Sequence, residues 1–501
     1  MFGQLLSGFA NVFQPLNFLL MTFGTVVGVV IGALPGLSGS MGIILLLPLV
    51  YTLETSTALV MLCGLFCGSM FGGSVSAILL RTPGTPSASA TVLDGYPLAQ
   101  KGEAGKAIGV AAIGSFTGGI ISTACLIFIA PQLAKVALKF HSADYFALAL
   151  FGLTIMASSS GKNMIKGLMS GAFGLLVSTV GTDPLAGSSR FTFGIGKLMI
   201  GFPQLAVLIG VFAVSEVLTQ VQGKGARAEV REQSVKHIWP SWREINGFLK
   251  VAIVGGILGV LIGIVPGTGG AIACFLAYNV AQKLSRHPER FGNGSLEGIA
   301  APEAANNATT GGALIPMLTL GIPGDTVTSV MLGALTLVGV TPGPQLFVNS
   351  PAIIYAIFAG MIVIQFLMLG FGVLFSKFAP KVLKVPTDIM MPVILVLCVV
   401  GAFSLANQMY HVAVAIAFGV IGFFMKRYGF PGAPLVLGVI LGPIAEKNLD
   451  RALQLSKNDW SIFFRRPISV TFLALSALMI VLSILSAMRE NKSSGQSVGK
   501  A

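Results

Sequence analysis

Two Pro-Gly interruptions hold the most informative chemistry in this sequence. Leu34-Pro35-Gly36-Leu37-Ser38-Gly39-Ser40 cuts an apolar run, and so does Val265-Pro266-Gly267-Thr268-Gly269-Gly270. Proline removes a helix hydrogen bond and clashes with the preceding turn, while glycine accepts the positive φ that helical continuation forbids. The helix that resumes after each break begins with free N–H groups and the positive end of its dipole. In hydrocarbon such groups are costly unless a ligand, water or side chain satisfies them. An anion at the break does so. The expected substrate contacts at these breaks are Pro35, Gly36, Ser38, Gly39 and Ser40, with Pro266, Gly267, Thr268 and Gly269.

A second pair of breaks is richer. Arg81-Thr82-Pro83-Gly84-Thr85-Pro86-Ser87-Ala88-Ser89 offers hydroxyls, backbone donors and one guanidinium. Its counterpart is Gly321-Ile322-Pro323-Gly324-Asp325-Thr326-Val327-Thr328-Ser329. Arg81, Thr82, Gly84, Thr85, Ser87 and Ser89, with Gly324, Asp325 and Thr326, therefore join the candidate substrate set. Just upstream, Glu303, Asn306, Asn307 and Thr309 form a polar patch in apolar surroundings. Oxygen-rich side chains and unwound carbonyls suit sodium, and a carboxylate can instead carry a proton. These four are the candidate ion-coupling residues; no resident metal is expected, only a transported ion. A surface position is the rival reading for Arg81, and loop solvation is the rival for Asp325 and Glu303. Asp94 and Glu54 read as interfacial or loop residues.

Other chemistries are excluded by what is missing. Every Gly-Lys pair lacks the following Ser or Thr of a Walker A loop, and no His-Glu-x-x-His motif occurs. No Ser/His/Asp group is plausible on the apolar segments, so no enzyme activity and no cofactor are expected. The five cysteines (Cys63, Cys67, Cys125, Cys274, Cys398) sit in apolar runs without His or carboxylate at metal-ligand spacing. They read as small packing residues.

The elements that must position these breaks are membrane helices. Of 501 residues, 54% are hydrophobic and 10% charged, and the mean hydropathy is +0.86. Soluble domains carry about 25% charged residues. No Asp, Glu, Lys or Arg precedes Glu54. At about 20 apolar residues per crossing, the chain supplies ~10–12 transmembrane helices. Strand alternation is absent, so the expected class is an all-α polytopic membrane protein. The net charge of +13 fits basic connections under the positive-inside rule rather than nucleic-acid binding. The N-terminus lacks the basic n-region of a signal peptide and is expected to be retained.

Three landmarks repeat in order. Gly28-Val-Val-Ile-Gly-Ala-Leu-Pro-Gly-Leu-Ser-Gly39 returns as Gly259-Val-Leu-Ile-Gly-Ile-Val-Pro-Gly-Thr-Gly-Gly270. The stretch Gly72 to Gly84 returns as Gly312 to Gly324, and Gly201-Phe-Pro203 with Gly210 returns as Gly429-Phe-Pro431 with Gly438. Two membrane repeats are expected at 24–220 and 255–446. Residues 1–23 open the first helix, 221–254 hold a polar linker and the next helix start, 447–488 a loop and an added helix, and 489–501 a polar tail. Repeats with interrupted helices are the pattern of secondary transporters, whose sites lie near the midplane between the copies. The mildly basic links at 221–250 and 446–466 argue for parallel copies, and transporter precedent argues for inverted ones. The regular helices 106–130, 352–376 and 468–488 are expected to form a scaffold, and the breaks to lie on a mobile unit.

Over about 15–465 the chain resembles the large membrane subunit of the tripartite tricarboxylate transporter family. The resemblance rests on Gly-Ala-Leu-Pro-Gly-Leu at 32–37, Ala77 to Thr85, Thr91-Val-Leu-Asp-Gly-Tyr-Pro97, Asn306-Asn307 to Gly312, and Leu320 to Gly324. It implies a multi-pass permease of the bacterial inner membrane, importing di- or tricarboxylates such as citrate on a sodium or proton gradient. It also implies a small four-helix membrane subunit, a periplasmic solute-binding protein as partners, and an elevator-like movement by fold-level analogy. Arg81 departs from the Asn expected there in many members; its guanidinium suits either an extra substrate carboxylate or the surface. A passive anion channel would share the broken helices but show no gradient-driven accumulation. A membrane-embedded enzyme would turn over substrate without a gradient.

Overall fold

The computed structural model describes residues 2–158, 164–183, 187–222, 235 and 237–481. The expected polar tail, the end of the expected helix 468–488 and most of the polar part of the linker lie outside the described residues. The chain is an all-α polytopic membrane protein. Among the described residues, seven helices are long and apolar enough to cross a membrane, and six further apolar helices run 10–17 residues.

In the first half the helices are α1 (Phe2–Val12), α2 (Pro15–Ala33), α3 (Gly39–Val50), α4 (Thr55–Leu80), α5 (Val92–Leu98) and α6 (Ala104–Ala137). Then come α7 (Ser142–Ser158), α8 (Met164–Ser178), α9 (Gln204–Leu208) and α10 (Ser215–Gln222). The second half holds α11 (Trp242–Gly263), α12 (Gly269–Leu284), α13 (Leu296–Leu320), α14 (Thr326–Leu337), α15 (Leu346–Asn349) and α16 (Pro351–Val382). It ends with α17 (Thr387–Ser404), α18 (Met409–Arg427), α19 (Gly432–Leu455) and α20 (Ile462–Arg465), and a last apolar helix, α21 (Pro467–Val481).

Two compact units emerge. One gathers the described residues up to Lys135 and from Glu216 to Gln408; the other gathers those of Val136–Ser215 and from Met409 onward. Each unit takes part of its chain from each half of the sequence.

The first unit is organised by glycine. Gly24, Gly28 and Gly32 of α2 lie against the carbonyls of Met61, Leu65 and Ser69, and Gly64, Gly68 and Gly72 of α4 lie against those of Met21, Thr25 and Val29. A methyl group at any of these six would overlap a backbone oxygen. Small residues four apart let two membrane helices touch backbone to backbone. The partner numbers rise together, so α2 and α4 run parallel. The chain must therefore turn back through α3, whose 12 residues span roughly 18 Å, short of the ~30 Å hydrocarbon core. Gly39 lies beside Ser69 and Gly42 beside Leu65, so α3 runs against α4 as the return arm of a re-entrant hairpin.

The second half repeats the device. Gly255, Gly259 and Gly263 of α11 pack on Ala301, Ala305 and Thr309 of α13, so these helices are also parallel and α12 is the return arm. Between halves the order reverses: Cys67 Sγ meets Thr310 Oγ1 at 3.7 Å and Asn306 Nδ2 donates to the Met70 carbonyl at 3.0 Å. Thus α4 and α13 are antiparallel, and the two hairpin–helix groups are inverted. The charge of the closing links, which argued for parallel copies, does not decide the matter; helix packing does.

Helices are also exchanged. Gly114 and Gly118 of α6 pack on Ala300 and Ala304 of α13, while Gly360 and Gly372 of α16 pack on Val60 and Phe71 of α4. The long helices expected to form a separate scaffold at 106–130 and 352–376 thus share a compact unit with the breaks. Their small residues bind them to α13 and α4.

The second unit contains the third landmark. Gly210 abuts the Ala415 carbonyl and Gly438 abuts that of Gly171, pairing the α9 segment with α18 and α19 with α8. Arg466 Nε lies 3.1 and 3.0 Å from the two carboxylate oxygens of buried Asp144. Arg190, in the loop after α8, pairs with Glu446, whose carboxylate holds the guanidinium above its ordinary pKa.

Candidate functional site

All four breaks fall in the first unit, and they converge. Within the first half, Gly84 sits against the Gly32 carbonyl and Ser76, and Gly73 against Thr85, so the second break folds onto the first. Within the second half, Gly267 N–H donates to the Gly324 carbonyl at 2.7 Å. Across halves the contacts are reciprocal. Gly39, at the start of α3, lies beside Val327 just past the second half's second break. Gly270, in the first turn of α12, lies beside Ser87 just past the first half's second break.

Local chemistry explains each break. Ser38 caps α3, accepting from Met41 N–H at 3.3 Å, and its hydroxyl lies 2.8 Å from that of Ser40. Asp325 caps α14 reciprocally: its carboxylate accepts from Thr328 N–H at 2.7 Å, and Thr328 Oγ1 accepts from Asp325 N–H at 2.9 Å. Gly36 and Gly267 hold φ of 88° and 81°, where a side chain is strained. Arg81 is left-handed too, with φ 59°, and ends α4 as Gly321, with φ 71°, ends α13. Asn and Gly tolerate that position better than arginine.

The candidate residues divide by setting. Gly39, Ser40, Gly84, Thr85, Ser87, Pro266, Gly324 and Asp325 are buried, with Pro35, Gly36, Ser38, Ser89, Gly267, Thr268, Gly269 and Thr326 partly so. Arg81 and Thr82 are exposed, and the Arg81 guanidinium stands 5.8 Å from the centre of the Tyr96 ring. Thr268 Oγ1 reaches the carbonyls of Ile262 and Val265, and Ser89 Oγ that of Pro86. Their hydroxyls close the ends of their own turns. Glu303, Asn306 and Asn307 are fully buried on α13, and Thr309 nearly so.

Four buried polar atoms of this unit have no partner in the protein: Thr85 Oγ1 at the first half's second break, and Asn306 Oδ1 with both Nδ2 and Oδ1 of Asn307 on α13. Gln365 Oε1 on α16 is a fifth; its Nε2 lies 3.6 Å from Cys67 Sγ. Buried polar groups in folded proteins are paired almost without exception. Left open, these atoms offer oxygens and one amide donor to a hard cation or an anion. Glu303 is engaged instead, accepting from Thr91 and, at 3.1 Å, from Ser115.

Sequence reasoning missed several of these groups. Gln365 was a visible signal, a lone amide within an apolar helix. Asp94, read as interfacial, is fully buried. Its carboxylate accepts from the N–H groups of Gly294 and Ser295 at 2.8 and 2.7 Å and from Tyr278 Oη at 2.9 Å, tying α5 to the start of α13. Among the described residues no group of three or more His, Cys, Asp or Glu could hold a metal, and all five cysteines are free thiols.

A family model described as the tripartite tricarboxylate transporter TctA family matches residues 18–437. An uncharacterized 52.8 kDa protein of the TAR-I ttuC' 3' region of Agrobacterium vitis is 38% identical over 485 residues, covering 97% of this chain and 96% of its own. An uncharacterized protein of the TAR-II ttuC' 3' region of the same organism is 36% identical over 234 residues, covering 47% of this chain and 97% of its own. No solved structure matches.

Proposed function

The chain belongs to the tripartite tricarboxylate transporter TctA family, and from that premise we propose that it imports a small di- or tricarboxylate by secondary active transport. Membership makes it a membrane transport protein rather than an enzyme, and one subunit of a tripartite system. The finer reading is ours. Citrate is the first substrate to test, a sodium or proton gradient the driving force, and the bacterial inner membrane the location. A small four-helix membrane subunit and a periplasmic solute-binding protein are the partners.

One observation carries the proposal: four helix breaks from two inverted hairpins converge in the compact unit that also holds the partnerless buried polar atoms, Thr85 Oγ1 at a break among them. In this reading the carboxylates of the substrate lie against the starts of α3 and α12 and the Thr85–Ser89 and Asp325–Ser329 segments. The coupling ion uses Asn306, Asn307 and Thr309, with Glu303 as the group that carries a proton if protons drive uptake. All four breaks belong to one compact unit, which supports its moving as a body in an elevator-like cycle.

The test is uptake of labelled citrate into proteoliposomes holding this chain, the small subunit and the binding protein, with sodium and proton gradients imposed separately. Accumulation above the external concentration under one gradient is expected. Equilibration without accumulation under both would mean a passive pore and end the proposal. Glu303→Gln sorts the ion: loss of proton-driven uptake is expected if protons couple, and retained sodium-driven uptake if sodium does.

A further inference from the structure

Away from the breaks, a cavity of about 590 Å³ opens between the first turns of α11, the end of α12 and the start of α13. Lys250, Arg286 and Arg290 line it, with His287 beside them. Among the described residues none of those three cations has a carboxylate partner. The two acids on the same wall are already engaged: Glu244 with Ser241 and Lys106, and Glu297 with Ser285. We infer that this cavity is a headgroup site for an anionic phospholipid, its phosphate held by Lys250, Arg286 and Arg290.

The surroundings are those of a lipid rather than of a free anion. Below Lys250, Ile253, Ile257 and Leu261 continue the same helical stripe, and they are 42%, 49% and 59% exposed. Spacing of three and four residues keeps all four side chains on one face of α11, so an acyl chain can follow the stripe from a phosphate held at its head. Trp239 and Trp242, 59% and 81% exposed, mark the membrane interface at the entry to α11. Helical side chains lean toward the N-terminus, which carries the Lys250 ammonium back toward that interface.

The inverted architecture supplies an internal comparison. The counterpart of this corner in the first half is formed by the starts of α2 and α4 and the end of α3. No Lys or Arg occurs before Arg81, so the three helices that form that corner bring no cation to it. Inversion puts the two corners on opposite faces of the membrane, and only one has become basic. Basic pockets between membrane helices bind acidic headgroups on the leaflet that the positive-inside rule faces.

The test uses the purified full-length chain, delipidated in mild detergent and titrated with phosphatidylglycerol, phosphatidylcholine, glycerol 3-phosphate or inorganic phosphate. Retained lipid is read by native mass spectrometry and stabilisation by thermal unfolding. Phosphatidylglycerol is expected to remain bound and to raise the unfolding temperature. Phosphatidylcholine and the two soluble phosphates should do neither. K250Q/R286Q/R290Q should weaken phosphatidylglycerol binding tenfold or more, while K377Q/K381Q/R451Q, which removes the same charge elsewhere, should leave it unchanged. R290Q alone, a milder change, should weaken it severalfold, so the inference survives a triple variant that fails to fold. Equal binding of phosphatidylcholine, equal stabilisation by soluble phosphate, or undiminished binding by R290Q and the triple variant would each overturn it. So would cross-linking from position 286 in membranes that captures a protein and no lipid.

Discussion

Replacing Asn307 by leucine should make the resting protein more stable and the transporter worse. Asn307 is fully buried, and both its amide nitrogen and its oxygen lack partners in the protein. An unpaired buried polar group costs about 1–3 kcal/mol, part of which water recovers when it enters a polar site. Removing both atoms should therefore raise the unfolding free energy by about 1–3 kcal/mol. If the amide serves a charged ligand, its loss removes a hydrogen bond worth about 1.5–3 kcal/mol. At about 1.4 kcal/mol per tenfold, the apparent affinity for the coupling ion or the carboxylate falls ~10–150-fold. Thermal unfolding of the purified variant measures the first effect, and concentration-dependent uptake in proteoliposomes the second. An Asn307→Leu protein that is less stable than the parent and takes up substrate normally would refute the reasoning, because the amide would then be a packing element.

The glycines at the breaks come next. Gly84→Ala puts a methyl into the Gly32 carbonyl, and Gly324→Val puts one 2.7 Å from Ala313 Cα; both should abolish uptake while membrane insertion, read by protease protection, is kept. Gly36→Val, at φ 88°, should do the same. Arg81→Asn relieves a left-handed arginine and should add about 1 kcal/mol of stability in thermal unfolding, with carboxylate selectivity unchanged if the guanidinium serves only Tyr96. Arg466→Gln leaves the fully buried Asp144 carboxylate without its cation, still held by the His141 N–H at 2.9 Å, and should cost about 2–4 kcal/mol; Asp144→Asn on the same background should restore part of it.

The breaks were legible because Pro-Gly in an apolar run has few other meanings, and the order of three landmarks identified the matched positions. Burial was legible at Asn306 and Asn307, where amides interrupt an apolar stretch. Orientation was not. It is fixed by pairs such as Cys67 with Thr310 and Met70 with Asn306, far apart in the chain, and nothing in either residue's own neighbourhood shows which partner it meets. Asp94 was misread for the same reason: its partners are the N–H groups of Gly294 and Ser295, which leave no trace in its own neighbourhood. The exchange of α6 and α16 between halves was equally hidden, since the small residues that permit it look like ordinary membrane glycine.

That exchange has a consequence for how the protein is made. The face of α6 built around Gly114, Gly118 and Ser115 is shaped for α13, which the ribosome reaches only after a further stretch of chain ending at Leu320. At about 5–20 residues per second, the early helices stand in lipid for roughly 10–40 s with that seam open. During that interval the parallel pair α2 and α4 can already be knitted by its glycines around the return arm α3, and the second half arrives as a template that the first has been waiting for.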